Sequence, residues 1–318
     1  MQVVTSKLDF EIASCGFSFS GMREFRRQLE WADIVHYHFP WPFADMLHFA
    51  SNVKIPSVVT YHADIMKQKY LMVLYAPLMQ RFLDNVDCIV ATSPNYVDSS
   101  QYLRPRVAAT KMVPLGIAEE SYPEVDEETL EQVRGKYGEN FFLFVGVLRY
   151  YKGLDVLLDA AIAGGFKVVI AGTGPESLRL NKKYQLDDFP EIRFAGYVSE
   201  KEKMALYTLC TAVVLPSFNR AEAFGVTLLE GAMMSKPLIS ANPESGSSYV
   251  NIDGHTGLVA EPDSVESLKM AMQRFVDDPA LAVALGHNAR KRYEEKFKGS
   301  DMVQGYMDIY TELVPERT

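Results

Sequence analysis

The feature that most constrains the fold of this chain is the repeated alternation of short apolar runs with longer amphipathic stretches. The runs are rich in β-branched and aromatic residues, and the stretches between them have helical spacing. Several runs are apolar throughout, which is typical of parallel strands covered on both faces. The pattern predicts an α/β fold with strands over residues 33–38, 57–62, 87–93, 111–116, 141–147, 167–174, 192–198, 211–217, 237–242 and 257–261.

The length of 318 residues exceeds what one hydrophobic core normally serves, so two domains are expected. The acidic segment "EESYPEVDEETLEQ" contains a proline and lacks strand character, as linkers do. It predicts a domain boundary near residue 118, between residues 1–118 and 119–318, each forming a doubly wound parallel sheet. Ligands of such sheets bind at the carboxyl ends of the strands, so the chemistry is expected in a cleft between the domains.

Charge and composition exclude several classes of protein. The formal net charge of −9 argues against a nucleic-acid binder, although a small phosphate ester needs only one or two cations. No apolar run approaches about 18 residues and no signal-peptide pattern is present, which predicts a soluble, cytoplasmic protein. Peripheral contact with the inner face of a membrane stays open. Cys15, Cys88 and Cys210 share no metal-ligand spacing and are expected to be reduced.

Two glycine-containing loops are candidates for binding a phosphate group. In "GVLRYYKG" a strand ends at Gly146, and the cations Arg149 and Lys152 precede a helix N-terminus, which would suit a diphosphate. Solvated loop cations explain the same residues equally well. In "VIAGTGP" the pair Gly172 and Gly174 would let backbone amides approach a ligand, but an ordinary tight turn explains it as well.

Two glutamates, Glu222 and Glu230, enclose an otherwise apolar segment. Because a strand is predicted to end at Ser217, Glu222 is placed in a loop at the ligand-binding edge and Glu230 within the following helix. The helix dipole favours an acid near a helix start, which is the simpler explanation of Glu222. A carboxylate buried in an apolar helix needs polar partners, and a ribose diol is one candidate for Glu230.

The segment "RAEAFGVTLLEGAMMSKPLIS" resembles the Glu-x7-Glu signature of retaining GT-B glycosyltransferases of glycosyltransferase family 4. The segments "DIVHYHFPWPFAD", "TYHADI", "VATSP", "VPLGI", "FVGVLRYYKG", "IAGTGP", "FAGYVSEKEK" and "SGSSYVNIDGHTGLV" resemble further motifs of that family in the expected order. The sequences around "LRYYKG" and "YVNIDGHTGLV" are similar to those of mannosyltransferases that build O-antigen or related polysaccharides. The resemblance implies two Rossmann-like domains facing across a cleft, with the last helix packed back on the first domain.

The resemblance also implies a role for each candidate residue. Arg149 and Lys152 would bind the diphosphate of a nucleotide-sugar donor. Glu222 would bind hydroxyls of the transferred sugar and Glu230 those of the ribose. His62 would lie near the donor sugar and its phosphate as a further catalytic residue. The other donor-binding positions would be Gly146, Gly172, Gly174, Phe224, Gly225, Val226 and Ser247.

The implied reaction is the retaining transfer of a hexose to a glycan or lipid-linked acceptor in the synthesis of lipopolysaccharide or another cell-surface polysaccharide. GDP-mannose is the first expected donor and a UDP-hexose the second. The acceptor would attack the face from which the diphosphate departs, and the phosphate would take the acceptor's proton. Because the chain has no Asp-x-Asp pair and offers two cations, neither a metal ion nor another cofactor is expected.

The first residues depart from the family pattern. Members open with a strand, a glycine-bearing loop and a long helix, whereas "MQVVTSKLDF" resembles the end of the second strand. The first domain is therefore expected to lack its first strand and helix, and to have an exposed sheet edge that a homodimer would cover. A nucleotide-sugar-binding protein with impaired catalysis is the alternative function. Val147 also stands where the family has arginine, and Arg149 is expected to replace that cation.

Overall fold

The computed structural model describes residues 3–12, 15–65, 69–185, 188–241 and 245–314. The chain divides into one unit of Met1–Val113 with Val303–Thr318 and a second unit of Pro114–Met302. Each unit is built on a parallel sheet and has its own hydrophobic core. No helix within the described ranges is both long enough and apolar enough to cross a membrane.

In the first unit, a short hairpin precedes helices that alternate with strands. The elements are β1 (Phe10–Ile12), β2 (Cys15–Phe17), α1 (Phe19–Leu29), β3 (Val35–Phe39), α2 (Pro42–Ala50), β4 (Ser57–Tyr61), α3 (Lys69–Leu83), β5 (Cys88–Ala91), α4 (Pro94–Ser99) and β6 (Thr110–Met112).

The second unit continues the alternation, and its last helix runs on into the segment that belongs to the first unit. Strands β3 to β12 each overlap one of the strands predicted from the sequence, which confirms those predictions. The elements are α5 (Glu127–Tyr137), β7 (Phe142–Val145), α6 (Leu154–Gly164), β8 (Val168–Ala171), α7 (Ser177–Tyr184), β9 (Ile192–Gly196), α8 (Glu200–Leu209), β10 (Ala212–Leu215), α9 (Val226–Met233), β11 (Leu238–Ala241), α10 (Ser247–Val250), β12 (Gly257–Ala260), α11 (Val265–Asp277), α12 (Pro279–Lys296) and α13 (Gly299–Leu313).

The sheet of the first unit is parallel, with the strand order β3-β4-β5-β6. Alternate residues of its strands, such as Phe39 and Tyr61, pack into the core. His36 lies on the opposite face, where its Nδ1 is 2.5 Å from the hydroxyl oxygen of Tyr310 in α13. Helix α13 therefore supplies side chains to the face of the sheet that does not pack into this core.

The hairpin at the start of the chain is an element that the sequence analysis missed. β1 pairs with β2 in antiparallel register, and the rings of Phe10 and Phe17 stack with centroids 5.0 Å apart. Residues 3–6 do not form a strand, although their sequence resembles the end of one. Met1 and Gln2 lie outside the described residues. A largely apolar cavity of about 940 Å³ lies between residues 4–8, β2, α1 and β3.

The sheet of the second unit is parallel throughout, with the strand order β12-β11-β10-β7-β8-β9. Every residue of β8, β10 and β11 is buried, as their uninterrupted apolar runs predict. Local signals set the helix ends. A capping box of Ser199 and Glu202 starts α8, and Gly165 ends α6 in the left-handed conformation.

Candidate functional site

The order of strands in the second unit reverses between β7 and β10. From β7 the chain runs through β8 to β9 on one side, then returns to β10 and continues through β11 to β12 on the other. Because β7 and β10 are adjacent and parallel, the loops that leave their carboxyl ends lie side by side. Ligands of open α/β sheets bind at such a switch point, so these two loops are the first place to look for a site.

Backbone contacts hold the loop after β7 against the loop after β10. Gly153 has a φ of 70°, and a Cβ added there would lie 2.1 Å from the carbonyl oxygen of Pro216. The backbone N–H of Phe218 donates to the carbonyl oxygen of Tyr151 at 3.1 Å. Only glycine fits at position 153, and the close approach that it permits brings Lys152 next to the β10 loop.

Lys152 and Glu222 form a buried ion pair at the switch point. The Nζ of Lys152 lies 2.5 Å from Oε2 of Glu222, and the two side chains are 13% and 9% exposed. The hydroxyl of Ser217 donates to the same carboxylate oxygen at 3.1 Å. Gly146 leaves room beside the ammonium, since a Cβ there would still be 3.9 Å from Nζ, and Arg149 is exposed in the same loop. The structure thus joins Lys152, predicted to bind the diphosphate, to Glu222, predicted to bind the sugar.

Gly172 and Gly174 are accounted for by packing between the loops after β7 and β8. A Cβ on Gly172, whose φ is 137°, would lie 2.0 Å from the carbonyl oxygen of Gly146. A Cβ on Gly174 would lie 2.5 Å from the carbonyl oxygen of Leu148. Backbone atoms cannot move aside as flexible side chains do, so a tight turn explains both glycines. Contact of their amides with a ligand stays a prediction.

The start of α9 forms the other wall of the β10 loop. Gly225 caps the helix with a φ of 84°, and the preceding Phe224 is buried. The hydroxyl of Thr227 donates to the carbonyl oxygen of Val145 at 3.0 Å, which ties the first turn of α9 to the end of β7. Val226, the first helical residue, is 44% exposed. Of these residues, Val226 has the most exposed side chain.

Ser247 lies at the start of α10, close to the loop that contains Glu222. The backbone N–H of Gly246 donates to the carbonyl oxygen of Ala223 at 2.9 Å, which fixes the two loops together. The Ser247 side chain is buried, and its Oγ lies 3.0 Å from Oγ of Ser245. The hydroxyl is therefore near the predicted donor site but is hydrogen-bonded within its own loop.

Glu230 belongs to a second buried polar cluster, within α9. Its Oε1 accepts hydrogen bonds from Lys203 Nζ at 2.8 Å and from the Tyr122 hydroxyl at 3.1 Å. Its Oε2 accepts one from the Tyr207 hydroxyl at 2.6 Å. The burial agrees with the sequence analysis, and the polar partners that burial requires are protein side chains.

None of the three partners of Glu230 was predicted from the sequence. Lys203 and Tyr207 are four residues apart on α8 and so share one face of the helix, a spacing that could have paired them. Burial opposes the charge of Lys203, but hydrogen bonds to Glu200 and Glu230 outweigh it and raise the pKa of the ammonium. Burial, with the Glu230 charge second, raises the pKa of the Tyr207 hydroxyl well above its usual value. A cation and two neutral hydroxyl groups thus surround the Glu230 carboxylate.

His62 lies in the first unit, directly after β4, where its backbone N–H donates to the carbonyl oxygen of Phe39 at 3.0 Å. Its Nε2 lies 2.8 Å from Nδ1 of His38. Burial, with His38 as the second cause, lowers the pKa of His62 to about 4, so the imidazole is neutral at pH 7. Within the described ranges, no three His, Cys, Asp or Glu side chains are arranged to hold a metal ion.

The predicted site residues therefore occupy three places. Lys152 and Glu222 meet at the switch point of the second unit, with the glycines and Ser247 in neighbouring loops. Glu230 has a polar cluster of its own, and His62 is part of the first unit.

Two family models match the sequence and together cover most of it. Residues 2–120 match the family described as "Glycosyltransferase Family 4". Residues 126–292 match the family described as "Glycosyl transferases group 1". The second match contains both the pair at the switch point and Glu230.

Two curated proteins are similar to nearly the whole chain. The D-rhamnosyltransferase WbpZ of Pseudomonas aeruginosa is 46% identical over 292 residues, which are 92% of this chain and 77% of that protein. The O-antigen chain mannosyltransferase C of Escherichia coli is 43% identical over 317 residues, which are 100% of this chain and 85% of that protein.

A solved structure of the Anabaena protein HepE in complex with UDP-glucose has the same fold. Its TM-score is 0.75 at 16% sequence identity, and the match covers 91% of this chain and 82% of that one. At this identity the likeness shows the fold alone, an α/β fold with parallel sheets in two Rossmann-like domains. This agrees with the GT-B fold expected from the sequence.

Proposed function

The chain belongs to the group 1 glycosyl transferases, and from this premise we propose that it transfers a hexose from a nucleotide sugar to a glycan or lipid-linked acceptor. The two relatives are named as a rhamnosyltransferase and a mannosyltransferase. D-Rhamnose is mannose without its 6-hydroxyl group, so both names point to a sugar of manno configuration. We therefore propose mannose or its 6-deoxy form as the transferred hexose, in the synthesis of a cell-surface polysaccharide.

The observation that carries this proposal is the buried pair of Lys152 and Glu222 at the switch point. An ammonium held in a largely dry site can stabilise the charge that develops on a leaving diphosphate. The carboxylate beside it can accept hydrogen bonds from sugar hydroxyl groups. Room next to Gly146 and the exposed guanidinium of Arg149 complete a loop suited to a diphosphate.

We propose that the transfer retains the configuration of the donor sugar. The bond between the anomeric carbon and the diphosphate oxygen breaks while the acceptor oxygen attacks on the same face. The acceptor's proton passes to the departing phosphate oxygen, so no basic side chain is needed. Because Lys152 and Arg149 supply positive charge to the diphosphate, the proposed reaction needs no metal ion. An undiminished rate in EDTA would support this, and a loss restored by Mg²⁺ would contradict it.

A lipid surface is the proposed partner of the first unit. On α3, the side chains of Tyr70, Val73 and Leu74 are 93%, 74% and 82% exposed. Their spacing places them on one face of the helix, and patches of this kind mark contacts with membranes or proteins. The sequence of α3 contains no acidic residue, so an anionic lipid surface would not be repelled there. We propose that this face brings the enzyme to a lipid-linked acceptor at the inner side of the membrane.

The deciding experiment is to incubate the purified protein with GDP-mannose, GDP-D-rhamnose or UDP-glucose and to measure nucleotide release. We expect release of GDP from a donor of manno configuration and, when a glycan acceptor is added, a glycosidic product with the anomeric configuration of the donor by NMR. Tight GDP binding without release from any donor would instead support the alternative of a nucleotide-sugar-binding protein with impaired catalysis. Glu222→Gln is the matched variant, because it keeps the size of the side chain and removes its charge.

A further inference from the structure

The histidines of β3 contact the neighbouring strand in a regular diagonal pattern. The parallel register places His38 opposite Thr60. His36 Nε2 nevertheless lies 2.7 Å from Thr60 Oγ1, and His38 Nδ1 lies 2.8 Å from His62 Nε2. Each histidine of β3 thus bonds to the residue that lies two positions after its register partner, toward the carboxyl end of β4. The proposed donor-facing residue, His62, stands at the end of this ladder.

The ring of His38 contacts the rings of two other histidines. It stacks on His36 with centroids 4.8 Å apart and planes 23° apart. His36 is itself fixed by hydrogen bonds to Thr60 and to Tyr310 of α13. His38 also lies nearly parallel to His62, with an angle of 10° between the rings. A ring supported in this way can impose an orientation on its neighbour.

The bond between the two rings also couples their protonation. The pKa values of both imidazoles are lowered by burial, so each neutral ring carries its proton on one nitrogen only. If His38 Nδ1 carries its proton and donates it, His62 Nε2 must accept, and the proton of His62 then sits on Nδ1. Nδ1 of His62 is in that case an N–H donor, which would suit a phosphate oxygen of a bound donor.

We propose that His38 is a positioning residue that holds His62 in its Nδ1–H tautomer and fixes the orientation of its ring. The role toward a nucleotide sugar rests on the proposed function, whereas the role toward the tautomer does not. Free histidine favours the Nε2–H tautomer, so the Nδ1–H form at His62 would be imposed by the protein. His38 is exposed and lines the cavity beside β3, which makes replacement there mild for the core.

The tautomer can be measured by ¹⁵N NMR of the histidine rings in the ligand-free protein, in the wild type, His38→Ala and His38→Asn. We expect Nδ1–H at His62 in the wild type and a shift toward Nε2–H in His38→Ala. Asparagine places an amide nitrogen near the position of Nδ1, so His38→Asn should restore the wild-type tautomer. His255→Ala, which removes an exposed histidine of the second unit, is the matched control. An Nε2–H signal for His62 in all of these proteins would overturn the proposal.

Turnover of the nucleotide-sugar donor supplies the second readout. We expect His38→Ala to lower kcat for nucleotide release by up to about 100-fold with little change in KM, since a misoriented group costs the transition state more than binding. His38→Asn should recover most of this loss. Equal kcat in the wild type and His38→Ala would overturn the positioning role. If the wild type itself releases no nucleotide, the proposed function fails, and the NMR experiment still decides the tautomer.

Discussion

Lys152 Nζ lies 2.5 Å from Glu222 Oε2, and this contact joins the ends of two loops that leave adjacent parallel strands. The cation is predicted to bind a diphosphate and the carboxylate a sugar, so one ion pair connects both halves of the proposed donor site. Because both side chains are largely buried, loss of either one leaves an uncompensated charge. We therefore expect activity and stability to be coupled at this pair.

Replacing Lys152 by methionine tests that coupling. We expect Lys152→Met to slow glycosyl transfer by about 100- to 1,000-fold, because charge on the leaving diphosphate loses its stabilising ammonium. The same variant should lose about 3–5 kcal/mol of unfolding free energy, since Glu222 stays buried without its cation. In Lys152→Met combined with Glu222→Gln, stability should largely return while activity does not. Nucleotide release and urea unfolding measure the two effects.

Lys201→Met is the control for the loss of a lysine. Lys201 pairs with Asp126 at the surface, where the two side chains are 40% and 56% exposed. An exposed pair of this kind contributes about 1 kcal/mol at most, so this variant should unfold and react much like the wild type. Equal destabilisation by Lys152→Met and Lys201→Met would show that burial of the Lys152 pair has no energetic consequence.

The ribose role of Glu230 can be tested with a nucleotide that lacks one hydroxyl group. If the carboxylate accepts a hydrogen bond from the ribose, 2′-deoxy-GDP should bind the wild type about 10- to 100-fold more weakly than GDP. Glu230→Gln should reduce this ratio, because the bond loses its charged acceptor. Isothermal titration calorimetry of both nucleotides gives the ratio.

Glu200→Gln is the matched variant for that experiment. Glu200 contacts the same Lys203 ammonium as Glu230, but its side chain is 64% exposed. We expect it to leave the ratio of the two affinities unchanged. The same ratio in the wild type and in Glu230→Gln would mean that Glu230 serves only to anchor the tyrosines around it.

The strands and the loop glutamate were predictable because their signals are local. A strand that is buried on both faces needs an uninterrupted apolar run, and β8 and β10 are such runs of four residues. The run can be read directly from the sequence. The position of Glu222 follows from the end of the preceding strand and the rule that ligands bind at carboxyl edges. For these elements, the neighbouring residues in the chain already determine the environment.

The partners of the site residues were not predictable because they come from distant parts of the chain. Glu230 is 108 residues from Tyr122, and nothing in the linker distinguishes that tyrosine from a surface residue. His38 and His62 meet only because β3 and β4 pair in one particular register. The hairpin of β1 and β2 depends on pairing of three residues on each side, which is too short for a periodic signal.

Gly172 should tolerate alanine less well than a glycine with a positive φ that has open space around it. Alanine there would be strained and its Cβ would meet a backbone oxygen at 2.0 Å, so we expect a loss above about 2 kcal/mol. Gly165 has a φ of 65° and open space where a Cβ would lie. Gly165→Ala should therefore lose about 1–2 kcal/mol of unfolding free energy from backbone strain alone. Gly135→Ala, within α5 and in open space, should stabilise by about 0.5–1 kcal/mol. Urea unfolding of the three variants would contradict this account if Gly172→Ala costs no more than Gly165→Ala.

The histidine ladder should make the first unit sensitive to acid. Burial, with the adjacent histidines as further causes, lowers the pKa of His36 and of His62 to about 4, below the value of about 6.5 for an unfolded chain. The unfolded chain therefore binds more protons, so stability is fully present above about pH 6.5 and falls as the pH drops toward 4. Thermal unfolding across this range should show a shallower decline in His36→Gln. An unchanged pH dependence in that variant, with His255→Gln as the exposed control, would contradict the prediction.

The exposed face of α3 should be responsible for binding to lipid. Leu74→Asp places a charge on the side chain that is 82% exposed, and burial of an aspartate among acyl chains is unfavourable. We expect the wild type to sediment with vesicles of phosphatidylglycerol and phosphatidylcholine, and Leu74→Asp to remain largely in the supernatant.

Val283→Asp is the matched control, because Val283 is 59% exposed on α12 of the second unit. Equal sedimentation of Leu74→Asp and Val283→Asp would show that α3 is not the lipid-binding face. Because the variant changes only an exposed side chain, GDP release from a soluble donor should stay at the wild-type rate, which separates loss of lipid contact from loss of the fold.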